Sequence, residues 1–260
     1  MTAVSLSVVV PVLNEESCID EFLERVSGVL ASRTPAWEIV VVDDGSVDRT
    51  VSYVERWIQR EPRIQLVRQP HRGKGAAIHR GMLAARGDWR LMADADLSVA
   101  PEDWSVFFDT AIGPHAPDVI IGSREAPGSR RIGESLSRHL IGRAFNIVVQ
   151  LVAMPGINDT QCGFKMLRAE AARALMPHVR IQGFAFDVEL LFLARLAGFT
   201  IREVGVVWVC RRDTRVRLAR GAAAFVDVGR ICLRQMSGRY RHVMSPEQRR
   251  TTGEDRASPG

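Results

Sequence analysis

The chain has few lysines, no closely spaced cysteines and no long apolar runs. Each of these features excludes certain classes of protein or site. No run of eighteen apolar residues is present, so no membrane-spanning helix is expected. Residues 4–13 are apolar, but no basic flank precedes them, unlike a secretory signal peptide. The four cysteines lie far apart without the spacing of a metal site, which predicts reduced thiols in a cytosolic protein.

Only two lysines, Lys74 and Lys165, occur among the 35 basic residues. Because an ammonium and a guanidinium bind phosphate differently, these two positions are candidates for a specific task. The net charge of +5 is compatible with nucleic acid, anionic lipid or phosphorylated substrates as partners. The chain has neither a helix-turn-helix pattern nor a basic stripe interleaved with aromatic residues, so nucleic acid is not expected.

Apolar runs alternate with amphipathic segments through the first half of the chain. The runs predict strands at residues 5–11, 37–42, 64–68, 89–93 and 119–123. Helical spacing predicts helices between them, at residues 19–30, 49–59 and 76–85 and from Pro101 onward. Five such alternations predict an α/β fold with a Rossmann-like, mostly parallel central sheet and helices on both faces.

The second half is less regular. Residues 125–133 predict a mobile loop, 158–165 a turn-rich segment, 201–209 a strand, and 138–154, 183–196 and 219–236 helices. The helices at 138–154 and 219–236 have apolar faces flanked by arginine. Such a face fits the headgroup region of a membrane or ordinary core packing, and the sequence leaves both open.

Polar residues follow four of the predicted strands, namely Asn14 and Glu15, Asp43 and Asp44, Asp94 and Asp96, and Ser123 and Arg124. Ligands of open α/β sheets bind at the carboxyl ends of the strands, so these residues predict one binding edge. The dinucleotide fingerprint Gly-x-Gly-x-x-Gly is missing after the first strand, which argues against an NAD-dependent enzyme.

The acidic pair Asp94-Ala95-Asp96 ends a predicted buried strand. Mg2+ and Mn2+ take oxygen ligands and often keep some of them for a substrate diphosphate. The pair therefore predicts a metal site for a bound diphosphate. The alternative is a solvated acidic turn that caps the helix beginning near Pro101.

Several motifs together resemble family 2 glycosyltransferases, which have the GT-A fold. They are Pro-Val-Leu-Asn-Glu at 11–15, Val-Asp-Asp-Gly-Ser at 42–46, Gly-Lys-Gly at 73–75 and Asp-Ala-Asp at 94–96. The second half resembles the dolichyl-phosphate β-glucosyltransferase and polyprenyl-phosphate mannosyltransferase branch. It carries Gly-Ser-Arg at 122–124, Asp-Thr-Gln-Cys-Gly-Phe-Lys at 159–165 and Phe-Asp-Val-Glu at 186–189.

The resemblance covers roughly residues 5–215 and implies a division of the chain. Residues 1–215 would form the GT-A domain, with a nucleotide-sugar half at 1–125 and an acceptor half at 126–215. A C-terminal amphipathic helix at 216–244 and a disordered tail at 245–260 would follow.

The resemblance also implies roles on the donor side. The predicted nucleotide-sugar contacts are Pro11, Leu13, Glu15, Asp43, Asp44, Lys74, Asp94 and Ala95. Of these, Pro11, Leu13 and Glu15 would frame the base, and Asp43 would accept a hydrogen bond from the base or the ribose. A plain strand–helix turn is the alternative for Asp43 and Asp44. Asp94 and Asp96 would hold Mg2+ or Mn2+, with Asp96 the stronger candidate.

On the acceptor side, a phosphate monoester is already largely dianionic at neutral pH and needs positive charge more than a base. Candidates for binding it are Arg124, Arg131, Ser137 and Arg138. Asp187 would lie near the donor sugar or the acceptor, or else stabilise a helix N-terminus. Asp96, Asp187 and Arg124 are the predicted catalytic residues.

These roles predict an inverting glycosyltransferase that moves glucose from UDP-glucose, or next mannose from GDP-mannose, onto a polyprenyl phosphate. The alternatives are a related transferase with a soluble acceptor and, from another class, a nucleotidyltransferase. The processive motif Gln-x-x-Arg-Trp is not matched, so polymer synthesis is not expected. Eukaryotic glucosyl members carry an N-terminal membrane anchor, whereas this sequence starts at the first strand. We therefore expect a peripheral protein at the cytoplasmic face of a membrane.

Overall fold

The computed structural model describes residues 5–113, 115–135, 142–143, 146–147, 149–150, 154–183, 185–211, 218–240 and 243. Within the predicted helix at 138–154, residues 142–143, 146–147 and 149–150 are helical. The remainder of that segment and the predicted tail at 245–260 lie outside the described residues. No helix of the described part is long and apolar enough to cross a membrane.

In the first half of the chain, the described helices and strands alternate as the sequence predicts. The helices are α1 (Ile19–Arg33), α2 (Thr50–Arg60), α3 (Lys74–Ala84), α4 (Ser105–Ile112), α5 (Ala169–Leu175), α6 (Phe186–Leu196) and α7 (Leu218–Met236). The strands are β1 (Leu6–Val12), β2 (Trp37–Asp43), β3 (Ile64–Arg68), β4 (Trp89–Met92), β5 (Val119–Ser123), β6 (Arg130–Ile132), β7 (Lys165–Arg168), β8 (Ile201–Gly205) and β9 (Val207–Val209). Single 3-10 turns at Pro101–Trp104 and Met176–His178 precede α4 and follow α5.

Seven strands form one sheet in the order β3-β2-β1-β4-β7-β5-β8. All neighbours are parallel except β7, which runs antiparallel between β4 and β5, with Lys165 opposite both Met92 and Ile121. The predicted mostly parallel sheet is therefore confirmed, and β7 is its antiparallel exception. This strand is only four residues long, and its pairing comes from two strands that are distant in sequence, so its own residues give a weak signal.

Helices bury both faces of the sheet. On one face α1 buries Ile19, Phe22, Leu23, Val26 and Leu30, the five positions that its apolar spacing predicts. On the other face, α3 and α6 belong to a second apolar cluster. β1 and β2 are valine-rich because residues facing either way are covered.

Close packing of α3 brings its first residue to the binding edge. Gly81 of α3 lies so near the sheet that a Cβ there would overlap Val9 and Val42. A larger residue would lift the helix away from β1 and β2. Since α3 begins at Lys74, this close approach helps to set the position of that side chain.

Residues 201–209 form two strands instead of the single predicted strand. β8 continues the main sheet beside β5, whereas β9 pairs in parallel with β6 in a separate two-stranded sheet. Val206 lies at the crossing: its N–H donates to the Ser123 carbonyl (3.1 Å), and its carbonyl accepts from the Arg130 N–H (3.0 Å). The predicted mobile loop at 125–133 thus contains a paired strand, because a distant segment supplies its partner.

Candidate active site

The segments after β1 and β2 lie side by side at the carboxyl edge of the sheet. Val12 is paired with Asp43 in the register of the two strands. The Asn14 N–H donates to Ser46 Oγ (3.0 Å), and the Glu15 N–H donates to Thr50 Oγ1 (2.8 Å). The predicted grouping of polar residues is confirmed for these two strands.

The residues predicted to frame a nucleotide base lie on this part of the edge. Pro11 is half-buried and Leu13 is 38% exposed. The Glu15 carboxylate accepts a hydrogen bond from the Cys18 thiol (3.1 Å). The buried Asp43 accepts one from the Ser46 N–H (3.0 Å), so the strand–helix turn considered as an alternative is present. Contact of these side chains with a base remains a prediction.

Asp44 ties the loop before α3 to the end of β2. Its Oδ1 accepts from Gln69 Nε2 (2.7 Å) and the Arg72 N–H (2.9 Å). Its Oδ2 bonds His71 Nδ1 (2.7 Å) and the Gly73 N–H (2.9 Å). Burial raises the pKa of this carboxyl, but the hydrogen bonds outweigh burial and the net pKa is lowered. Asp44 therefore holds the loop, and the donor contact that we predicted for it would compete with these bonds.

The glycines beside Lys74 let the loop approach a second segment closely. The Gly75 N–H donates to the Gln182 carbonyl (2.8 Å). A Cβ on Gly73 or on Gly75 would lie only 2.8 Å from that same carbonyl oxygen. Gly73 also has φ +104°, which a residue with a side chain rarely adopts. The Gly-Lys-Gly motif is thus required by contact with protein backbone, in addition to any contact with a nucleotide.

Lys74 contacts the first carboxylate of the acidic pair. Its Nζ lies 2.6 Å from Asp94 Oδ1, and both side chains are partly exposed. Burial lowers the pKa of the Lys74 amine, but the carboxylates of Asp94 and Asp187 outweigh burial, so the net pKa is raised. Lys74 is therefore an ammonium ion at neutral pH, placed at the carboxyl end of β4.

Asp96 turns the chain after β4. Its Oδ1 accepts from the Ser98 N–H (2.9 Å), and Leu97 between them has φ +55°. The helical turn at Pro101 has Ala100 at its N-cap and no side-chain capping bond. The acidic pair therefore does not cap that helix, although the partly exposed acidic turn of the alternative is present.

The donor set at this edge fits a divalent cation that arrives with its substrate. Asp94 and Asp96 are partly exposed carboxylates at one strand end, and Mg2+ or Mn2+ prefers such oxygens. Across the described residues, no group of three or more His, Cys, Asp and Glu side chains could hold a metal ion. Two carboxylates with substrate phosphates are a common magnesium arrangement in proteins, so the pair suffices. Metal binding by this chain remains a prediction.

Lys165 and Asp187 form a buried ion pair behind Lys74. The Lys165 ammonium donates to Asp187 Oδ1 and to the Cys162 carbonyl, and its side chain is fully buried. Burial raises the pKa of the Asp187 carboxyl, Lys165 and Lys74 oppose this, and the net pKa stays above the ordinary value. Both lysines of the chain thus belong to one charged cluster. The scarcity of lysine singled out Lys165 in the sequence, but the sequence did not give its partner, Asp187.

Arg124 is held by a carboxylate that sequence reasoning could not assign. Its Nε lies 2.6 Å from Asp159 Oδ2, and its second terminal nitrogen lies 2.9 Å from Oδ1. Asp159 is fully buried, and Arg124 also lies over the Trp208 ring, 5.5 Å from its centroid. Burial lowers the pKa of Arg124, but Asp159 outweighs it, so the guanidinium is charged at every ordinary pH.

Of the other predicted phosphate-binding residues, only Arg131 lies within the described part of the chain, and it is paired with carboxylates. Arg131 contacts Glu125 and Glu134, each at 2.6 Å, so its charge is already balanced. Its Nε donates to the Arg124 carbonyl (3.4 Å), which keeps the two arginines adjacent. Ser137 and Arg138 lie outside the described residues.

A cleft beside the acidic pair is lined by residues from both halves of the chain. Ala93, Asp94, Ser98, Val99, Cys162, Gly163, Phe164 and Trp208 line it. A Cβ on Gly163 would lie 2.7 Å from Asp94 Oδ2 and 3.1 Å from Lys74 Nζ. The segment before β7 therefore packs directly against the Lys74–Asp94 pair. Trp208 lines the same cleft, and the Arg124 guanidinium lies over its ring.

Solved structures with a similar fold include glucosyl-3-phosphoglycerate synthase from Mycobacterium tuberculosis. Its complex with Mn2+, UDP and glucosyl-3-phosphoglycerate matches with a TM-score of 0.69 at 18% identity, over 88% of this chain and 80% of that one. Its complex with Mn2+, UDP-glucose and phosphoglyceric acid matches equally well. At this identity the match shows the fold, which is the GT-A fold expected from the sequence.

Sequence comparison gives the family. The model of glycosyl transferase family 2 matches residues 7–176. Dolichyl-phosphate beta-glucosyltransferase ALG5C of Trichomonas vaginalis is 34% identical over 237 residues, 86% of this chain and 70% of that protein. The Drosophila melanogaster dolichyl-phosphate beta-glucosyltransferase is 38% identical, over 79% of this chain and 67% of its own length. This chain belongs to glycosyl transferase family 2.

Proposed function

We propose that this glycosyltransferase moves glucose from UDP-glucose onto a polyprenyl or dolichyl phosphate and forms a β-linked lipid-phosphate sugar. The observation that carries the proposal is the Lys74–Asp94 contact beside Asp96. It gathers one cation and two carboxylates at the carboxyl ends of the strands, where α/β folds bind phosphates. The dolichyl-phosphate beta-glucosyltransferase relatives support the choice of sugar and acceptor.

On the donor side, the Lys74 ammonium would leave Asp94 and bind the diphosphate. Both side chains are partly exposed, so a bound diphosphate would have access to this ammonium. Asp94 and Asp96 would hold Mg2+ or Mn2+, which when bound neutralises the charge of the departing nucleoside diphosphate. The buried Lys165–Asp187 pair lies behind Lys74 and fixes the charge around it.

On the acceptor side, a phosphate oxygen attacks the anomeric carbon of the sugar. A new carbon–oxygen bond to the lipid phosphate forms as the bond to the nucleoside diphosphate breaks, and UDP leaves with the electron pair. Attack opposite the leaving group converts an α-linked donor into a β-linked product. No proton has to be removed, because a phosphate monoester is largely dianionic at neutral pH.

Arg124 is the residue assigned to the acceptor phosphate. Asp159 fixes its guanidinium in place, and Arg has donor groups beyond the two nitrogens that this carboxylate engages. Arg131 is adjacent but would first have to leave Glu125 or Glu134. Ser137 and Arg138 remain part of the proposal as predicted from the sequence.

A polyprenyl acceptor requires contact with a membrane surface, and the outer side of α7 is suited to it. Val226, Leu233 and Met236 are 56%, 66% and 83% exposed. Their spacing places them along one stripe of the helix, with Arg230 on the helix and Arg239 just beyond its end. We propose that the protein binds the cytoplasmic face of a membrane peripherally.

The donor and acceptor are tested by incubating purified protein and Mg2+ with UDP-glucose or GDP-mannose, each with polyprenyl phosphate, free polyprenol or phosphoglyceric acid. The expected lipid product forms only from UDP-glucose and polyprenyl phosphate. A product from GDP-mannose would replace glucose by mannose in the proposal. Transfer to phosphoglyceric acid would favour the soluble-acceptor alternative, and transfer to free polyprenol would refute the phosphate as nucleophile.

The role of Arg124 is tested with Arg124→Lys, since a change to alanine would leave the buried Asp159 carboxylate without its partner. Lysine keeps the charge but not the planar fork, so the acceptor KM should rise or kcat should fall while UDP affinity stays unchanged. Arg131→Lys is the matched control next to it and should alter acceptor kinetics less. Equal kinetics of Arg124→Lys and the unaltered protein would remove Arg124 from the acceptor site.

A further inference from the structure

Glu189 is a charged residue that the proposed mechanism does not use, and it is fully buried in α6. Its Oε2 accepts hydrogen bonds from the N–H groups of Arg180 (2.7 Å) and Ile181 (2.6 Å). Its Oε1 accepts from the Arg234 guanidinium (2.9 Å) and the Tyr240 hydroxyl (2.5 Å). One buried carboxylate thus joins two segments that are distant in sequence.

The partners of Oε1 belong to the C-terminal end of α7. Arg234 lies in the last turn of that helix, and the chain then turns back through Gly238, which has φ +70°. This turn brings Tyr240 into the core, where it is 2% exposed and its ring lies 6.0 Å from that of Phe192 in α6. The end of α7 is therefore attached to α6 through the Glu189 carboxylate.

The partners of Oε2 belong to the segment that supports the Lys74 loop. Immediately after Ile181, the Gln182 carbonyl accepts from the Gly75 N–H (2.8 Å). A Cβ on Gly75 would lie 2.9 Å from the Ile181 carbonyl oxygen, so the two backbones are in direct contact. The loop has no free space into which it could shift on this side without moving residues 181–182.

A second carboxylate holds the opposite side of the same loop. Asp44 binds the N–H groups of Arg72 and Gly73 from the end of β2. Lys74 is therefore positioned between an anchor on the sheet, Asp44, and an anchor on the helices, the residues 180–182 bound to Glu189. The anchor on the helices includes α6 and α7, which lie outside the residues 7–176 that match the family model.

We propose that Glu189 is a positioning residue through which the C-terminal helix α7 fixes the loop that carries Lys74, and so controls donor binding. This inference rests on the proposed function, in which Lys74 binds the donor diphosphate. The ligand affected is a nucleoside diphosphate, which the Lys74 ammonium would bind. The position of that ammonium would depend on the hydrogen bonds that Arg234 and Tyr240 donate to Glu189.

The test removes the α7 partners of Glu189 and leaves the loop itself unchanged. Tyr240→Phe deletes one hydroxyl, and the double variant Tyr240→Phe with Arg234→Met removes both donors to Oε1. Binding of UDP with Mg2+ is measured by titration calorimetry at a temperature where every variant is folded. We expect the Kd for UDP to rise about threefold or more in the double variant, as mutations along coupled networks do.

Ile231→Val is the matched control for a loss of stability. Ile231 lies on α7 and is fully buried. Its apolar side chain cannot donate a hydrogen bond to Glu189. Its shortening should lower the melting temperature without changing the affinity for UDP. The amide hydrogen exchange of Gly75, read without any ligand, should become faster in the double variant and stay unchanged in Ile231→Val.

The outcomes separate this inference from the proposed function. If the unaltered protein binds neither UDP nor GDP, the proposed donor is wrong, and the exchange of the Gly75 amide still decides whether α7 controls the loop. If the protein binds UDP and the double variant binds it equally well, Glu189 stabilises the fold without positioning Lys74, and the inference is refuted. An equal loss of UDP affinity in Ile231→Val would refute the route through the carboxylate.

Discussion

The ion pair between Arg124 and Asp159 gives a stability prediction whose size follows from the structure. Burial raises the pKa of the Asp159 carboxyl, but the hydrogen bonds and charge of Arg124 outweigh it and lower the pKa from 3.8 to about 2. One pKa unit corresponds to about 1.4 kcal/mol, so this depression contributes roughly 2 kcal/mol to folding at neutral pH. Because Asp159 is fully buried, screening by solvent is small.

The sign of the pH dependence follows from the direction of this pKa change. A carboxyl whose folded pKa is lower than its unfolded pKa stabilises the fold above the unfolded value, near 3.8. That contribution is lost as the pH falls from about 5 through about 2. Urea unfolding of the protein and of Asp159→Asn should therefore differ most at neutral pH and converge in acid.

We expect Asp159→Asn to be less stable at pH 7 by at least roughly 2 kcal/mol, since breaking a buried pair by removing one partner costs about 3–5 kcal/mol. Asp109→Asn is the control, because Asp109 is an exposed carboxylate on α4. Its stability should follow that of the unaltered protein at every pH. Parallel pH curves for Asp159→Asn and the unaltered protein would show that this pair does not stabilise the fold.

Three further predictions concern the cleft and the acidic pair beside it. Asp96→Asn keeps the size of the side chain but removes a charge, so metal-dependent transfer should be abolished with an unchanged circular dichroism spectrum; near-normal turnover would contradict the metal assignment. Gly163→Ala should reduce transfer far more than stability, since its Cβ would meet Asp94 at 2.7 Å and Lys74 at 3.1 Å; equal kcat would show that the cleft adapts. Burial raises the pKa of the Cys162 thiol to about 11, so it should resist alkylation at pH 8 until urea unfolds the protein, as mass spectrometry of the labelled peptides can measure.

The alternation of buried strands and amphipathic helices in the first half was predictable from the sequence. The apolar positions Ile19, Phe22 and Leu23 give the buried face of α1 directly, and all three are fully buried. The grouping of Asp43 with Asp94 at one edge followed from parallel topology alone, because strands that run the same way end on the same side. The local spacing of apolar residues was enough to predict the elements whose conformation depends mainly on their own residues.

The pairing partners of short segments could not be predicted in the same way. β7 is four residues long and takes its place only because β4 and β5 bind it from both sides. β6, predicted as a mobile loop, is a strand because residues 207–209 pair with it. A strand this short gains its stability from distant neighbours, so its own residues carry little information about it.

The same distinction applies to the charged residues. By itself, the sequence determined which residue types were available at the edge and singled out Lys74, Asp94 and Asp96. Only the tertiary structure decided that Asp159 holds Arg124 and that Glu189 accepts hydrogen bonds from residues 180 and 181 beside the Lys74 loop. The physical reason is that a buried charge must be matched by partners close in space. Those partners come from segments distant in the sequence, which a local pattern cannot identify.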